Sequence, residues 1–255
     1  MPHGSSEQHK LVREKFTDVA ARWGQMSVPD DLRAILERVQ VPADGRVLDV
    51  AAGSGLLSRA LAQRVREVVA VDITAAMLEG GREAAKREGI SNIHFVEASA
   101  EALPFEGGAF DLAMTRFSLH HIAEPQGAVN EMVRVTRGRG QVLVIDMLVP
   151  DDGALATRAN QIEQLRDASH AWTPTWSQLK GYLETAGATI VDAFTQERTR
   201  DMEEWIALAP SGVYPELRAA FEAELNGGPP TGLRAYREGN AIRFHHPLGI
   251  VIARA

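Results

Sequence analysis

Between positions 46 and 147, short apolar runs alternate with segments whose apolar residues recur every three or four positions. Those are the periods of strands buried on both faces and of helices buried on one. The pattern predicts strands at 46–51, 67–72, 92–97, 109–115 and 140–147, and helices at 56–65, 75–88 and 125–136. Such alternation defines an α/β, doubly wound, mostly parallel sheet. Its ligand crevice should open outside the carboxyl ends of the strands, where Gly53, Asp72, Ser99 and Arg116 fall. Two amphipathic helices precede the sheet, at 10–23, with Leu11, Phe16, Val19 and Ala20 near helical spacing, and at 30–39. After Pro150 the regularity loosens into helices at 155–166 and 174–186, the second starting after a Thr173 cap candidate and stopping at Gly187. A strand at 188–194, helical stretches at 201–209 and 215–226, a Gly-Gly-Pro-Pro loop at 227–230 and a last strand at 241–253 complete the chain.

The segment Arg46-Val-Leu-Asp-Val-Ala-Ala-Gly-Ser-Gly55 reads as a buried strand running into a glycine turn that opens a helix. Gly53 and Gly55 let the backbone approach a ligand that a Cβ would exclude, and the helix N-terminus points at it. The next strand ends in Asp72, 17 residues after Gly55, near the spacing at which an acid meets ribose hydroxyls. Together they indicate an adenosine-containing ligand, although the same glycines could simply shape a tight turn. The dinucleotide fingerprint wants a third glycine where Ser58 stands, and Asp49 inside the first strand would repel a pyrophosphate. A ligand without phosphates fits better than NAD.

Val47-Leu-Asp-Val-Ala-Ala-Gly-Ser-Gly55 resembles the first motif of class I S-adenosylmethionine (SAM)-dependent methyltransferases, and Ala70-Val-Asp-Ile-Thr74 resembles their ribose-binding strand end. The resemblance continues in order through Ala100-Glu-Ala-Leu-Pro-Phe105, Phe110-Asp111, Arg116-Phe-Ser-Leu-His-His121 and Glu131-Met-Val-Arg-Val135. Its style is that of the ubiquinone/menaquinone-biosynthesis-like, small-molecule branch, and it covers roughly residues 16–147. Departures are Ala51 where the family usually has glycine, Ser99 where it usually has the acid that holds the adenine amino group, and Thr136-Arg-Gly-Arg-Gly140 in place of a Lys-Pro-Gly-Gly turn. The resemblance implies a Rossmann-like seven-stranded sheet, with the two late strands pairing antiparallel at one edge. It also implies N-terminal lid helices (1–42), a SAM-binding core (43–150), a substrate-pocket helical insertion (151–173) and a C-terminal part of the core with edge strands (174–255). By the same resemblance Asp49 orients the donor's amino group through water, Gly53 and Gly55 bring backbone to its methionine moiety, and Asp72 holds the ribose. Ile73 and Met77 flank the adenine, Ser99 and Ala100 meet its edge, and Arg116 closes over the methionine end by its backbone.

Charge and composition narrow the partners. The 255 residues carry 34 acids against 27 lysines and arginines, a net charge of -7, which argues against a broad nucleic-acid surface. No cysteine occurs, so disulfides and thiolate chemistry are excluded. Residues 1–10 are polar without a leader-like apolar run, and no stretch elsewhere is long and apolar enough to span a bilayer. A cytoplasmic enzyme with a small-molecule substrate, no membrane and no metal is expected, with a homodimer left open.

Methyl transfer demands mainly that a nucleophile be held in line with the methyl group, and orientation alone contributes on the order of 7 to 11 kcal/mol. A neutral hydroxyl or amine would gain from a base as well, and His120 and His121 are the candidates, although either histidine could equally pack under its loop. For the acceptor, Arg116, Arg158, Arg166, His170 and Lys180 could converge on one anionic group, with Trp172 and Trp176 as an apolar wall. Each cation taken alone reads as solvated surface, and the anion pocket rests on their joint placement. Phe16 and Trp23 line the site if the first helix is a lid, or pack it on the sheet if not. The expected function is O-methylation of a small metabolite, carboxylate or phosphonate. C-methylation of a quinone-type precursor, an NAD-dependent oxidoreductase and a non-catalytic SAM-binding protein are the alternatives.

Overall fold

The structure, a computed structural model, describes residues 5–255, so the first four residues of the polar N-terminal reading lie outside the described residues. In chain order the first half comprises α1 (Ser5–Trp23), α2 (Asp30–Glu37), β1 (Arg46–Val50), α3 (Leu56–Leu61), β2 (Glu67–Asp72), α4 (Ala75–Arg87), β3 (Ile93–Glu97), β4 (Phe110–Arg116), α5 (Pro125–Val135) and β5 (Thr136–Met147). The second comprises α6 (Gly153–Arg166), α7 (Trp176–Thr185), β6 (Thr189–Gln196), β7 (Thr199–Asp201), α8 (Met202–Ile206), α9 (Tyr214–Leu225), β8 (Tyr236–Glu238), β9 (Ala241–His245) and β10 (Leu248–Arg254).

Seven strands form one sheet in the order β3-β2-β1-β4-β5-β10-β6. The first five are parallel, and β10 runs antiparallel to both β5 and the outer strand β6. Strand alternation divides the apolar residues between two layers. Leu48 and Val50 face the cluster that includes Val129 and Met132 of α5 and Leu179 and Leu183 of α7. Val47 faces the opposite cluster, with Leu32 and Leu36 of α2 and Leu57 and Leu61 of α3. Asp49 shares the α3 face of β1, so helix donors can meet it in the interior.

Four expected boundaries are corrected. The strand expected at 241–253 is two strands, because Pro247 interrupts it: β9 leaves for a separate three-stranded sheet, β7-β9-β8, and only β10 joins the main one. The helix expected from 174 starts after Thr175, whose hydroxyl accepts from Gln178 N (3.2 Å) while Gln178 Oε1 accepts from Thr175 N (3.0 Å). Thr173 is instead buried, its N–H donating to Asn160 Oδ1 (2.6 Å). The helical stretch expected at 201–209 is the shorter α8, begun by Asp201 accepting from Glu204 N (3.1 Å). The expected turn at Thr136-Arg-Gly-Arg-Gly140 lies within β5, where Arg139 takes φ +74° and the pairing with β4 jumps a register.

Within 174–255, much of the stretch from 202 to 244 gathers around α6 instead of the sheet. Trp205, Phe221 and Phe244 pack edge-on or tilted at 5.2–5.7 Å and, with Ala159 and Ile162 of α6, form a third core. This core stands behind the loop 167–173 and carries β7 beside the crevice.

Helix α1 crosses α4 closely because Gly24 and Gly80 meet there; a Cβ on Gly24 would come within 3.1 Å of Gly80 O. Side chains hold its last carbonyl and those of the turn that follows: Trp23 O accepts from Ser54 Oγ (3.0 Å), Gly24 O from Arg87 (2.5 Å) and Met26 O from Arg59 (2.8 Å). At the other end the buried Gln8 donates to His121 O (2.9 Å) and Ser169 O (2.6 Å), and Arg13 donates to Ile73 O (3.1 Å). The helix therefore ties the glycine loop to the loop 167–173.

Candidate active site

At the end of β1 the chain enters the left-handed region three times, at Ala51 (φ +52°), Gly53 (φ +56°) and Gly55 (φ +69°). Only the glycines do so without steric cost. The turn is held by carboxylates. Asp72, buried at the end of β2, accepts from Gly53 N (2.7 Å) through one oxygen and from Thr74 N (2.8 Å) through the other. Asp49 accepts from both N (3.0 Å) and Oγ (2.7 Å) of Ser58 in the first turn of α3. Burial pushes Asp49 up to about 7 against the lowering effect of the Ser58 bonds, and burial also raises Asp72.

This wiring bears on the ligand. Two amides that would help cradle a pyrophosphate, at Gly53 and Ser58, already meet protein carboxylates, which counts against the NAD reading. Asp72, by contrast, has used two of roughly four lone-pair positions, leaving one on each oxygen for a vicinal diol. Met77 is sealed against the loop, its Cε 2.9 Å from where a Gly53 Cβ would stand, and Ile73 is half-buried beside it. Ala100 is buried, and the half-buried Ser99 accepts from Glu101 N (3.2 Å), while Glu101 pairs with His9 of α1 (2.6 Å). The residues fit an adenosine-bearing ligand without phosphates.

Beyond β4 a second constellation forms. His120, buried, donates its Nδ1–H to Asp146 Oδ1 (2.5 Å) on β5. Asp146 is fully buried and also accepts from the backbone N–H of Leu119 (2.8 Å), His120 (3.3 Å) and Met147 (2.7 Å). Burial alone would raise Asp146, but His120 beside it and these donors hold it below the usual carboxylate range. The arrangement fixes the imidazole with Nε2 as the remaining basic atom. His121 donates Nδ1–H to Ser169 O (2.9 Å), and its ring meets Phe16 edge-on at 5.0 Å; burial, then the neighbouring His120, lowers it to about 4. His170, 5.4 Å from His120 between ring centres, is buried and lowered to about 3 by that burial. Phe16 in turn meets Trp23 edge-on at 5.9 Å, so both aromatic residues of α1 lie on the His121 side.

The expected cation cluster is only partly assembled. Arg166 is committed to the buried Glu163 (3.0 Å) and lies over Trp205, and His246 Nε2 approaches Glu163 to 3.2 Å from the other side. Lys180 lies on α7 over the Trp176 ring (5.0 Å), and Arg158 faces α9 in a surface groove with Glu216 and Ala220, so neither joins the group. Trp176 packs against the sheet core, and Trp172 is partly exposed. Arg116 does face the crevice: its guanidinium lies 4.0 Å from the centroid of Phe117, itself held at φ +55°. Two arginines that the sequence reading omitted lie nearby. Arg198 reaches the same ring (5.7 Å), and Arg200 follows on β7. The dyad acid Asp146 was also omitted; it stands in an apolar strand 26 residues beyond His120. Among the described residues no three His, Asp or Glu side chains converge as metal ligands.

A doubly wound sheet with a glycine turn and a buried acid at the end of β2 is the arrangement of a nucleoside-binding core. The comparisons make the assignment specific. A methyltransferase-domain family model matches residues 48–144. The uncharacterized methyltransferase YcgJ of Bacillus subtilis (strain 168) is 35% identical over 141 residues, which span 55% of this chain and 56% of that protein. The ubiquinone/menaquinone biosynthesis C-methyltransferase UbiE of Stutzerimonas stutzeri (strain A1501) is 30% identical over 211 residues, 71% of this chain and 82% of that protein. Among solved structures, B. subtilis YcgJ superposes with a TM-score of 0.78 (25% identity, 87% of this chain, 96% of that chain). A candidate methyltransferase from Bacillus halodurans C-125 reaches 0.81 (26% identity, 89% and 99%). The chain belongs to the class I SAM-dependent methyltransferases, in the small-molecule group, and SAM is the cofactor of that family. Among the described residues no helix is long and apolar enough to cross a membrane.

Proposed function

We propose that this protein methylates a hydroxyl oxygen of a small metabolite that also carries an anionic group. The observation that carries the reading is the His120–Asp146 pair. Nδ1–H is held by a fully buried carboxylate, so Nε2 is the atom available to take a proton, at the end of β4 where the acceptor would meet the donor. An acceptor that attacked through an ionised carboxylate would have no use for that base. His121 is spent on Ser169 O and lowered to about 4, which suits packing and orientation better than proton transfer.

SAM, when bound, supplies an electrophilic methyl group on its sulfonium. In this reading Asp72 holds its ribose, the backbone at Gly53 and Gly55 approaches its methionine moiety, and Asp49 orients the amino group through water. Ile73, Met77, Ser99 and Ala100 surround the adenine, and the Arg116 backbone closes the methionine end. Phe16, Trp23 and His120 border the acceptor, and His170 backs His120. Once α1 covers the crevice, water is kept from the reacting groups.

C-methylation of a phenolic or quinone-type precursor is the second reading, favoured by the likeness to UbiE; the same base would ionise the phenol and activate its ring carbon. Release of S-adenosylhomocysteine (SAH) on incubation with a panel of hydroxy acids, hydroxyphosphonates and phenols tests both. An O-methyl resonance in the product supports the first reading, a C-methyl resonance overturns it for the second, and turnover unaffected by His120→Gln refutes the assignment of the base.

A further inference from the structure

Arg116, at the end of β4, and Arg198, in the β6–β7 connection, meet over the Phe117 ring, and Arg200 of β7 lies close enough to Arg198 to feel its charge. Among the described residues none of the three has a carboxylate within ion-pairing distance or a side-chain hydrogen bond, unlike Arg166, which Glu163 neutralises. Acids act on them only from further off: Asp31, Asp49 and Asp146 on Arg116, and Glu163 and Glu204 on Arg200. Burial, then the like charge of Arg198, lowers Arg116 to about 10, and Arg200 is shifted the same way by its burial and by Arg198 and Arg166.

Packing alone does not account for this gathering. One guanidinium over the Phe117 ring would satisfy a cation–π contact. Here two like charges share the ring, at 4.0 and 5.7 Å, and the residue presenting it is a bulky side chain in the left-handed region. Backbone strain and mutual repulsion at one spot are sustained when a ligand supplies the missing charge. One carboxylate is satisfied by a single bidentate arginine, whereas several guanidinium forks supplied by β4 and by the segment at β7 suit an anion with more charge and more than two acceptor oxygens.

We propose that Arg116, Arg198 and Arg200 form the anchoring subsite for a tetrahedral dianion, phosphate or phosphonate, carried by the acceptor. The proposal rests on the function given above and names the class of group that sets its specificity. Arg198 and Arg200 are specificity-determining residues, supplied by the β6–β7 connection and by β7 of the small sheet.

Calorimetric titration of the full chain with inorganic phosphate, methylphosphonate and malonate, with and without SAH, tests it. Saturable binding of phosphate and methylphosphonate is expected, weakened at least tenfold in Arg198→Ala and in Arg200→Gln. Arg158→Ala, on the outer side of α6, should match the unaltered protein. Absence of binding by either tetrahedral anion, affinity retained in both variants, or binding of malonate alone would overturn the proposal. Failure to bind SAH would count against the proposed function, while the titrations made without SAH would still decide the anion subsite.

Discussion

Replacing Asp72 by asparagine conserves shape and removes a charge, and its effect on donor binding follows from four hydrogen-bond positions. Two are filled by Gly53 N (2.7 Å) and Thr74 N (2.8 Å), one on each oxygen, leaving one on each for the two ribose hydroxyls. Asparagine offers a single oxygen with two lone pairs, so one backbone N–H and one hydroxyl can be served while the amide NH2 faces the other backbone donor. The diol loses one charge-assisted bond, worth about 1.5 to 3 kcal/mol, and the other becomes a neutral bond worth about 0.5 to 1.5 kcal/mol. A net loss of roughly 2.5 to 4.5 kcal/mol corresponds to a dissociation constant about 60- to 1,600-fold higher. The stability of the free protein should move less, because orphaning one backbone N–H is offset by relief of the carboxylate's burial, which already raises its pKa. Calorimetry with SAH, alongside urea unfolding to confirm the folded fraction, measures both. A dissociation constant within threefold of the unaltered protein would refute the ribose assignment.

Other consequences can be checked without knowing the acceptor. Ala51 sits at φ +52°, so Ala51→Gly should be neutral or stabilising by up to about 1 kcal/mol, whereas Ala52→Gly should destabilise by about 0.4 to 1 kcal/mol; equal melting shifts for the two would contradict the strain argument. His170 is 2% exposed and lowered to about 3, so its contribution to stability is present above pH 6.5 and is lost as pH falls towards 3, by about 1.4 kcal/mol per pH unit. Urea unfolding of His170→Phe between pH 6 and 4 should show a shallower acid decline by that amount, and an unchanged slope would remove His170 from the account. Gln8→Ala frees the carbonyls of His121 and Ser169 from one donor each and should cost about 1 to 3 kcal/mol, with faster hydrogen exchange in α1; exchange rates equal to those of the unaltered protein would show that Gln8 does not fasten the helix.

The parts of the site legible in the sequence are those where backbone geometry restricts residue type. Gly53, Gly55 and Asp72 were readable as a structural unit because a left-handed turn and an acid at a strand end leave few alternatives. His120 and His121 were readable as a pair, but Asp146 was not: one acid in an apolar strand gives no sign of its partner until parallel pairing sets β5 beside β4. Arg198 and Arg200 gave no signal in the sequence, because the strand at Thr199–Asp201 has three residues and exists only by pairing with β9. Conversely, Arg158 and Lys180 were close in sequence to the right region and were turned elsewhere by helix phase. Two fold errors had visible signals. Thr175-x-x-Gln178 is a capping box, and Pro247 breaks the run that was read as one strand.

Helix α1 is fastened to Ser54 and Ile73 on one side and to His121, Ser169 and, through Lys15, Asp167 on the other, so in the proposed function donor and acceptor would share one door. Lifting the helix far enough to exchange spent donor also exposes the acceptor side to solvent. An acceptor with several methylatable positions would therefore leave and rebind between successive transfers, and partly methylated species would accumulate in solution ahead of the final product.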